Sequence, residues 1–216
     1  MIVRLARKIL GLKGEPEIKD AVHYNSKQNI DALHSNGKHF RKILTRAQKP
    51  VETFYELLKE KGLLSGDRRI IDVGCGSANL LGLISSGFPS ASLTGADFSE
   101  SKISNCRILY PQIDFEVRDI YNQLKSSYDL ILCTEVLEHL LYPDRALKML
   151  LNGINEHGSI FITVPNGRLD SFSGHINFWS PESWKVFLEE NITEGCTLET
   201  GLIFNDKAMY AIITRP

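Results

Sequence analysis

Apolar residues along the chain occur in short runs separated by amphipathic segments, and this alternation predicts a sheet flanked by helices. Five runs have the length and composition of buried strands, at residues 70–73, 93–97, 113–120, 128–133 and 157–164. Helical patterns separate several of them, including one over residues 143–155 that begins at a Pro-Asp pair. Strands that alternate with helices are typical of parallel β-α-β units. Residues 197–204 and 208–214 then form a predicted hairpin across Asn205-Asp206.

A glycine turn follows the first predicted strand. Gly74 and Gly76 are one residue apart, between the apolar run that ends at Val73 and an amphipathic segment. Glycine in this position lets the backbone pass close beneath a ligand. Asp72 stands just before the turn, where a carboxylate would repel a diphosphate but suits a ligand that carries positive charge.

Acidic residues also end the next predicted strands. Asp97 comes 23 positions after Gly74, at the carboxyl end of the second strand, where a carboxylate can accept both hydroxyls of a ribose. The third strand ends in Asp119-Ile120, a pair suited to contact an adenine by hydrogen bonding and apolar packing. Three acidic strand ends together with the glycine turn predict a nucleoside-containing ligand with a cationic part.

In order and spacing these elements resemble the class I S-adenosylmethionine-dependent methyltransferases, from about residue 66 to residue 216. The resemblance implies an α/β fold: a three-layer Rossmann-like sandwich around a seven-stranded, mostly parallel sheet with an antiparallel last strand. It implies S-adenosyl-L-methionine as cofactor. The residues expected to bind this cofactor are Asp72, Gly74, Cys75, Gly76, Asp97, Phe98, Asp119, Ile120 and Glu135. Ala78 departs from the family, which often has a third glycine there.

The N-terminal part differs from the rest in charge. Residues 1–50 carry eleven Lys and Arg against four Asp and Glu, a net charge of +7, while residues 51–216 carry a net charge of −8. We expect residues 1–65 to form a helical lid or appendage and residues 66–216 to form the cofactor-binding domain. Residues 1–13 have a basic amphipathic helical pattern, which favours docking on the protein itself, with peripheral contact to an anionic membrane as the alternative.

Two histidines are the candidates for a catalytic base, with His139 the first candidate and His175 the second. His139 follows the fourth strand at the mouth of the sheet, and His175 lies in the loop after the fifth strand, which borders the acceptor pocket in the family. Imidazole titrates near neutral pH, so either residue can take a proton from a hydroxyl acceptor. The alternative for His139 is a structural hydrogen bond.

The segment Glu135-Val136-Leu137-Glu138-His139 offers a second chemistry. On a helix, positions three and four apart share a face, so two carboxylates and two imidazoles, counting His175, would suit a divalent metal ion. This resembles the E-x-x-E-H element of small-RNA 2′-O-methyltransferases and ubiquinone-pathway O-methyltransferases. The same string also occurs in relatives without a metal, and no ion is included among the expected site components.

Three functions remain open at this point. The favoured one is methylation of a small-molecule acceptor, anionic rather than cationic in view of the basic N-terminal residues, and most simply at a hydroxyl. Nucleic acid is disfavoured as a partner because the predicted catalytic domain is acidic, although an RNA 2′-O-methyltransferase stays as the alternative. A catalytically silent S-adenosylmethionine-binding module is the third. Four scattered cysteines with no C-x-x-C pair favour a reducing, cytoplasmic environment.

Overall fold

A seven-stranded sheet forms the centre of the protein. The computed structural model describes residues 20–35 and 48–216, so the predicted helix at residues 1–13 lies outside the described residues. The strands follow the spatial order β3-β2-β1-β4-β5-β7-β6. They are β1 (Arg69–Val73), β2 (Ser92–Asp97), β3 (Asp114–Val117), β4 (Tyr128–Thr134), β5 (Ile154–Pro165), β6 (Thr197–Ile203) and β7 (Ala208–Thr214).

The first five strands are parallel to one another, whereas β7 runs antiparallel to both β5 and β6. The sheet thus confirms the predicted Rossmann-like sandwich, and the chain reverses order between β1 and β4. In open sheets of this kind, ligands bind at the carboxyl ends of the strands beside such a reversal. Asp72, Asp97 and Glu135 each lie within one residue of those strand ends.

Seven α-helices lie among the described residues. They are α1 (Ala21–Tyr24), α2 (Lys27–His34), α3 (Gln48–Glu60), α4 (Asn79–Gly87), α5 (Glu100–Leu109), α6 (Pro143–Leu151) and α7 (Pro181–Asn191). A short 3-10 turn, Leu137–His139, follows β4. Helix α7 begins at a capped turn, where the Ser180 hydroxyl accepts a hydrogen bond from the Ser183 amide and Pro181 occupies the first turn.

The boundary between α6 and β5 differs from the prediction. The helix ends at Leu151 instead of residue 155, and the strand begins at Ile154 instead of residue 157. Ile154 already pairs with Tyr128 of β4, and the register then shifts before Ser159 pairs with Leu130. At this irregularity His157 adopts a left-handed backbone conformation, with φ 60°. The first residues of β5 therefore lack a regular strand pattern in the sequence and resemble the end of the preceding helix.

Apolar side chains bury both faces of the sheet. Phe54 and Leu58 of α3 belong to the core on one face, together with residues of α4 and α5. The other face packs against α6 and α7, where Trp184 is the largest fully buried side chain. The division at residue 65 stays a prediction, but α3 contributes directly to the core of the sheet. Within the described residues, no helix is long and apolar enough to cross a membrane.

Candidate active site

The turn after β1 brings the backbone against the start of the segment after β4. Gly74 and Gly76 have φ values of 83° and 55°, a region that L-residues rarely occupy. The amides of Gly74 and Cys75 both donate to the Ala96 carbonyl, at 2.7 and 3.0 Å. A Cβ atom on Gly74 would lie 2.4 Å from Val136 Cγ2, so glycine is required there for space as well as for conformation.

Asp72 carries a buried carboxylate that lacks compensation. The residue is 2% exposed, and its Oδ1 atom has no hydrogen-bond partner among the residues that the structure describes. Burial, and to a smaller extent the nearby charge of Asp97, raise the pKa of Asp72 to about 7. An unpaired buried carboxylate is costly, and a cationic ligand would relieve that cost.

Asp97 is held by the backbone around it. Its Oδ1 atom accepts a hydrogen bond from the Ser99 amide at 2.9 Å, and its Oδ2 atom accepts one from the Gly76 amide at 3.1 Å. The Lys102 ammonium lies 3.3 Å from the same Oδ2 atom. These contacts orient a carboxylate that is only 3% exposed next to the glycine turn, as the prediction for a ribose-binding residue requires. Phe98, the next residue, is partly exposed.

The segment after β3 joins this side of the site through its backbone. β3 ends at Val117, two residues earlier than the predicted Asp119-Ile120 pair, and the Arg118 amide donates to the Asp97 carbonyl at 2.9 Å. Asp119 is exposed and caps a turn, because its Oδ1 atom accepts a hydrogen bond from the Tyr121 amide at 3.0 Å. Ile120 is partly buried.

Glu135 extends the hydrogen bonding of β4 by one residue. Its amide donates to the Thr163 carbonyl of β5 at 3.0 Å, and its Oε1 atom accepts from the Thr163 hydroxyl at 2.9 Å. Its backbone is left-handed, with φ 55°. Glu135 is exposed to solvent. Desolvation by the protein around its carboxyl group nevertheless raises the pKa to about 7, and the Thr163 hydrogen bond only partly opposes this effect.

This conformation corrects one expectation about the segment 135–139. We expected a helix on which Glu135, Glu138 and His139 share a face, but the segment is a strand end followed by a single 3-10 turn. The side chains that come together as candidate metal ligands are Glu138, His139 and His175, with one donor atom of each within 4.8 Å of the others. Glu135 does not belong to this group.

Glu138 lies at the centre of that group. It is 1% exposed, and neither carboxylate oxygen has a hydrogen-bond partner in the described part of the chain. The Nε2 atoms of His139 and His175 are 3.8 and 4.0 Å from Glu138 Oε1, too far for hydrogen bonds. Burial holds the pKa of Glu138 well above its usual range. The gap between one carboxylate and two imidazoles is therefore suited to a bound group.

The two histidines differ in their surroundings. Their rings are 4.7 Å apart in an edge-on arrangement. Burial, and then the neighbouring His175 ring, lower the pKa of His139 to about 4, so this imidazole is neutral at neutral pH. Its Nδ1 atom is buried and has no hydrogen-bond partner among the described residues. The nearby Gly174 backbone acts to raise the pKa of His139, but less strongly than burial lowers it. His139 can offer a lone pair, but it is a weak proton acceptor.

Asp170 is a site residue that the sequence analysis missed. Its Oδ2 atom lies 2.5 Å from His175 Nδ1, and both side chains are 11% exposed. The ring of His175 is also bounded by Phe172 and Phe178, at centroid distances of 4.9 and 6.2 Å. The only signal in the sequence is an acidic residue five positions before a histidine in the loop after β5. Such spacing is too common to single out a pair.

Helices α1 and α2 contact the segment after β2 and the loop after β5, and their role as a lid stays a prediction. On the cofactor side, Asp31 Oδ1 accepts a hydrogen bond from the Ser99 hydroxyl at 2.6 Å, and the Lys27 ammonium donates to the Phe98 carbonyl at 2.8 Å. On the acceptor side, the Asn25 amide group donates to the Gly174 carbonyl at 2.8 Å. Burial acts to raise the pKa of Asp31, but hydrogen bonds led by that from Ser99 outweigh it and lower the pKa to about 2.

The aromatic and imidazole side chains of α1 and α2 have different positions. Tyr24 packs edge-on against Phe172, in the loop after β5, at a centroid distance of 5.9 Å. His34 is buried within the protein, and His23 is exposed.

Comparison with known proteins gives the same assignment as the site. The family described as a methyltransferase domain matches residues 38–191, more than half of the chain. The ubiquinone biosynthesis O-methyltransferase of Idiomarina loihiensis is 27% identical over 164 residues, covering 64% of this chain and 66% of that protein. The chain spans less than two thirds of the length of the first curated relatives, between 39% and 66%.

Solved structures share the fold. The complex of the Haloferax volcanii Trm112 methyltransferase activator with its methyltransferase superposes with a TM-score of 0.73 at 14% identity, over 86% of this chain and 97% of that chain. The magnesium protoporphyrin IX methyltransferase of Synechocystis PCC 6803, with bound SAH, gives a TM-score of 0.65 at 19% identity, over 91% and 100%. At these identities the likeness concerns the fold alone.

The described residues fit S-adenosylmethionine. The unpaired oxygen of Asp72 matches a cofactor with an ammonium and a sulfonium group, and Gly74 leaves no room for a side chain at the turn. A carboxylate has about four acceptor positions, so the oriented Asp97 can still accept ribose hydroxyls beside its present contacts. Site and family model agree: the chain belongs to the methyltransferase domain family.

Proposed function

We propose that this enzyme transfers the methyl group to a hydroxyl of a small-molecule acceptor, bound between the 3-10 turn and the loop after β5. The observation that carries the proposal is the buried, unpartnered carboxylate of Glu138 facing the Nε2 atoms of His139 and His175. A hydroxyl is a weak nucleophile until it loses its proton, and His175 of this cluster can accept that proton at the mouth of the sheet.

The two histidines divide the work in this proposal. His175 is the proton acceptor, because its Nδ1 atom faces the Asp170 carboxylate. His139, which is neutral, accepts a hydrogen bond from the acceptor and orients it. The cofactor supplies the driving force for transfer, so alignment of the oxygen with the methyl group is the main task of the protein.

A divalent metal ion is a second candidate occupant of the same cluster. Glu138, His139 and His175 supply one oxygen and two nitrogen donors within 4.8 Å of one another, a set that suits Mn²⁺, Zn²⁺ or Mg²⁺ with solvent and acceptor oxygens. An ion there would bind the acceptor oxygen and make its hydroxyl more acidic. The unpartnered Glu138 carboxylate supports this candidate as well.

The surroundings favour a small, partly apolar acceptor over nucleic acid. Phe172 and Phe178 border His175, and Phe178 is 50% exposed, so apolar surface is available next to the proton acceptor. Residues 51–216, which contain the site, carry a net charge of −8, and this disfavours a polyphosphate backbone. The relative from Idiomarina is named as an O-methyltransferase of ubiquinone biosynthesis, which supports oxygen as the accepting atom.

An acceptor screen with S-adenosylmethionine labelled in the methyl group tests the proposal. Phenols, catechols and hydroxy acids should accept label, and short RNA should not. Each acceptor is assayed with and without a chelator, because loss of activity on chelation assigns the metal and unchanged activity assigns direct proton transfer. Asp97→Ala, which we expect to weaken cofactor binding, serves as the low-activity control at a cofactor concentration below saturation. Transfer of label to amines or RNA but to no small hydroxyl compound would refute the proposal.

A further inference from the structure

We propose that Asp170 is a positioning residue that sets the tautomer of His175, so that the lone pair of Nε2 faces Glu138 and His139. The assignment of the tautomer stands on geometry alone, while its effect on turnover rests on the proposed function. Both roles considered for His175 need this lone pair, since a proton acceptor and a metal ligand each use an unprotonated ring nitrogen.

The contact between Asp170 and His175 determines which nitrogen carries the proton. An ionised carboxylate only accepts hydrogen bonds, so the 2.5 Å contact between Asp170 Oδ2 and His175 Nδ1 places a proton on Nδ1. A neutral imidazole carries one proton, which leaves Nε2 bare. Nε2 is the nitrogen that points to Glu138 Oε1, at 4.0 Å.

The position of the ring has supports other than Asp170. Phe172, Phe178 and His139 all lie against the His175 ring. The backbone of the loop is also anchored, because the amides of Ile176 and Asn177 both donate to the Glu138 carbonyl, at 2.8 and 3.0 Å. The ring would therefore keep its place without Asp170, and the specific contribution of this carboxylate is the tautomer.

The second oxygen of Asp170 fixes the orientation that an asparagine side chain would take at this position. Oδ1 accepts a hydrogen bond from the Phe172 amide at 3.0 Å. In Asp170→Asn, the side-chain carbonyl must stay at this position to accept from the amide. The new NH₂ group then faces His175 Nδ1 and donates to it, which moves the ring proton to Nε2. In Asp170→Ala, nothing donates to Nδ1, and the ring can take either tautomer.

The relative activities of the two variants show whether Asp170 sets the tautomer of His175 or only supports the shape of the loop. If Asp170 sets the tautomer, the isosteric Asn variant is worse than the Ala variant, because Asn enforces the wrong form. We expect Asp170→Asn to lower kcat by roughly 10²–10⁴-fold, the range of one general base, and Asp170→Ala to lower it less. A merely structural role predicts the opposite order, since Asn preserves shape and the Phe172 contact.

The direct readout is the protonation of the ring. Long-range ¹H–¹⁵N spectra of histidine-labelled protein at pH 8 distinguish protonated Nδ1 from protonated Nε2, and His175→Gln assigns the signal. We expect the proton on Nδ1 in the native enzyme and on Nε2 in Asp170→Asn, with unchanged S-adenosylmethionine affinity in both. Asp114→Asn, an exposed site on β3, is the control and should change neither spectrum nor turnover.

Two results would overturn the proposal: an Nε2 proton on His175 in the native enzyme, or an Ala variant that is less active than a folded Asn variant. If Asp170→Ala does not fold, Asp170→Ser replaces it as the variant without an enforced tautomer. If the native enzyme methylates no hydroxyl compound, the proposed function fails, but the spectra still decide the role of Asp170.

Discussion

The affinity for S-adenosylmethionine should depend on pH through Asp72. Burial raises the pKa of this carboxyl to about 7, so in the free enzyme it is largely protonated below that pH. A cationic cofactor favours the ionised form, and binding below pH 7 must therefore release a proton. Affinity should be fully developed above pH 7 and should fall as the pH drops below it.

The structure gives the size of the effect. With a free-enzyme pKa of about 7, the dissociation constant should rise about tenfold between pH 8 and pH 6. The dissociation constant should rise about tenfold again between pH 6 and pH 5, a loss of about 1.4 kcal/mol of binding free energy per pH unit. Asp72→Asn cannot release this proton, so its affinity should be weaker at pH 8 and nearly flat between pH 6 and pH 8. Because the ionised carboxylate destabilises the folded free enzyme, the same variant should raise its melting temperature at pH 8 and change it less at pH 5.

Isothermal titration calorimetry in buffers of different ionisation enthalpy measures both the affinity and the proton released. Asp114→Asn is the matched control, since it removes an exposed carboxylate outside the site and should keep the native pH dependence. Glu135, whose pKa also lies at about 7, is the other residue that could release this proton. A pH dependence that survives Asp72→Asn and disappears in Glu135→Gln would refute the assignment to Asp72.

Three further predictions concern the cofactor turn and the lid. Asp97→Ala should weaken S-adenosylmethionine binding by about 1–3 kcal/mol in calorimetry, because ribose hydroxyls lose a buried acceptor; unchanged affinity would remove Asp97 from the site. Gly74→Ala should reduce affinity and thermal stability together, since its Cβ would lie 2.4 Å from Val136 Cγ2, and a normal melting temperature would show that the turn can shift. Asp31→Ala should increase the exchange rates of the amides in α1 and α2 by removing the contact with Ser99, while exchange in β4 stays unchanged.

Much of the fold follows from local patterns in the sequence. Apolar runs identified the strands because buried parallel strands need apolar residues on both faces. The glycine turn was identifiable because its φ values and the contact with Val136 exclude other residues. The position of Asp97 followed from the order of the first two strands, since parallel neighbours place their carboxyl ends at one edge of the sheet.

The acceptor side was less accessible to such reasoning. The segment 135–139 has helical spacing, but the Glu135 amide stays bonded to Thr163 of β5, a partner 28 positions away that no local pattern reveals. The contact of Asp170 with His175 lies in a loop without periodicity, and the burial of Glu138 depends on that loop folding over the 3-10 turn. These features come from long-range packing of irregular segments.

The interior position of β7 has a consequence for how the protein is made. β7 lies between β5 and β6, and six of its seven residues are buried, so the sheet stays open along β5 until residue 214 has been synthesised. Until then the growing chain exposes an apolar strand edge, the kind of surface that pairs with other chains. We therefore expect nascent chains stalled before residue 208 to bind chaperones strongly, although they already contain every residue of the candidate site.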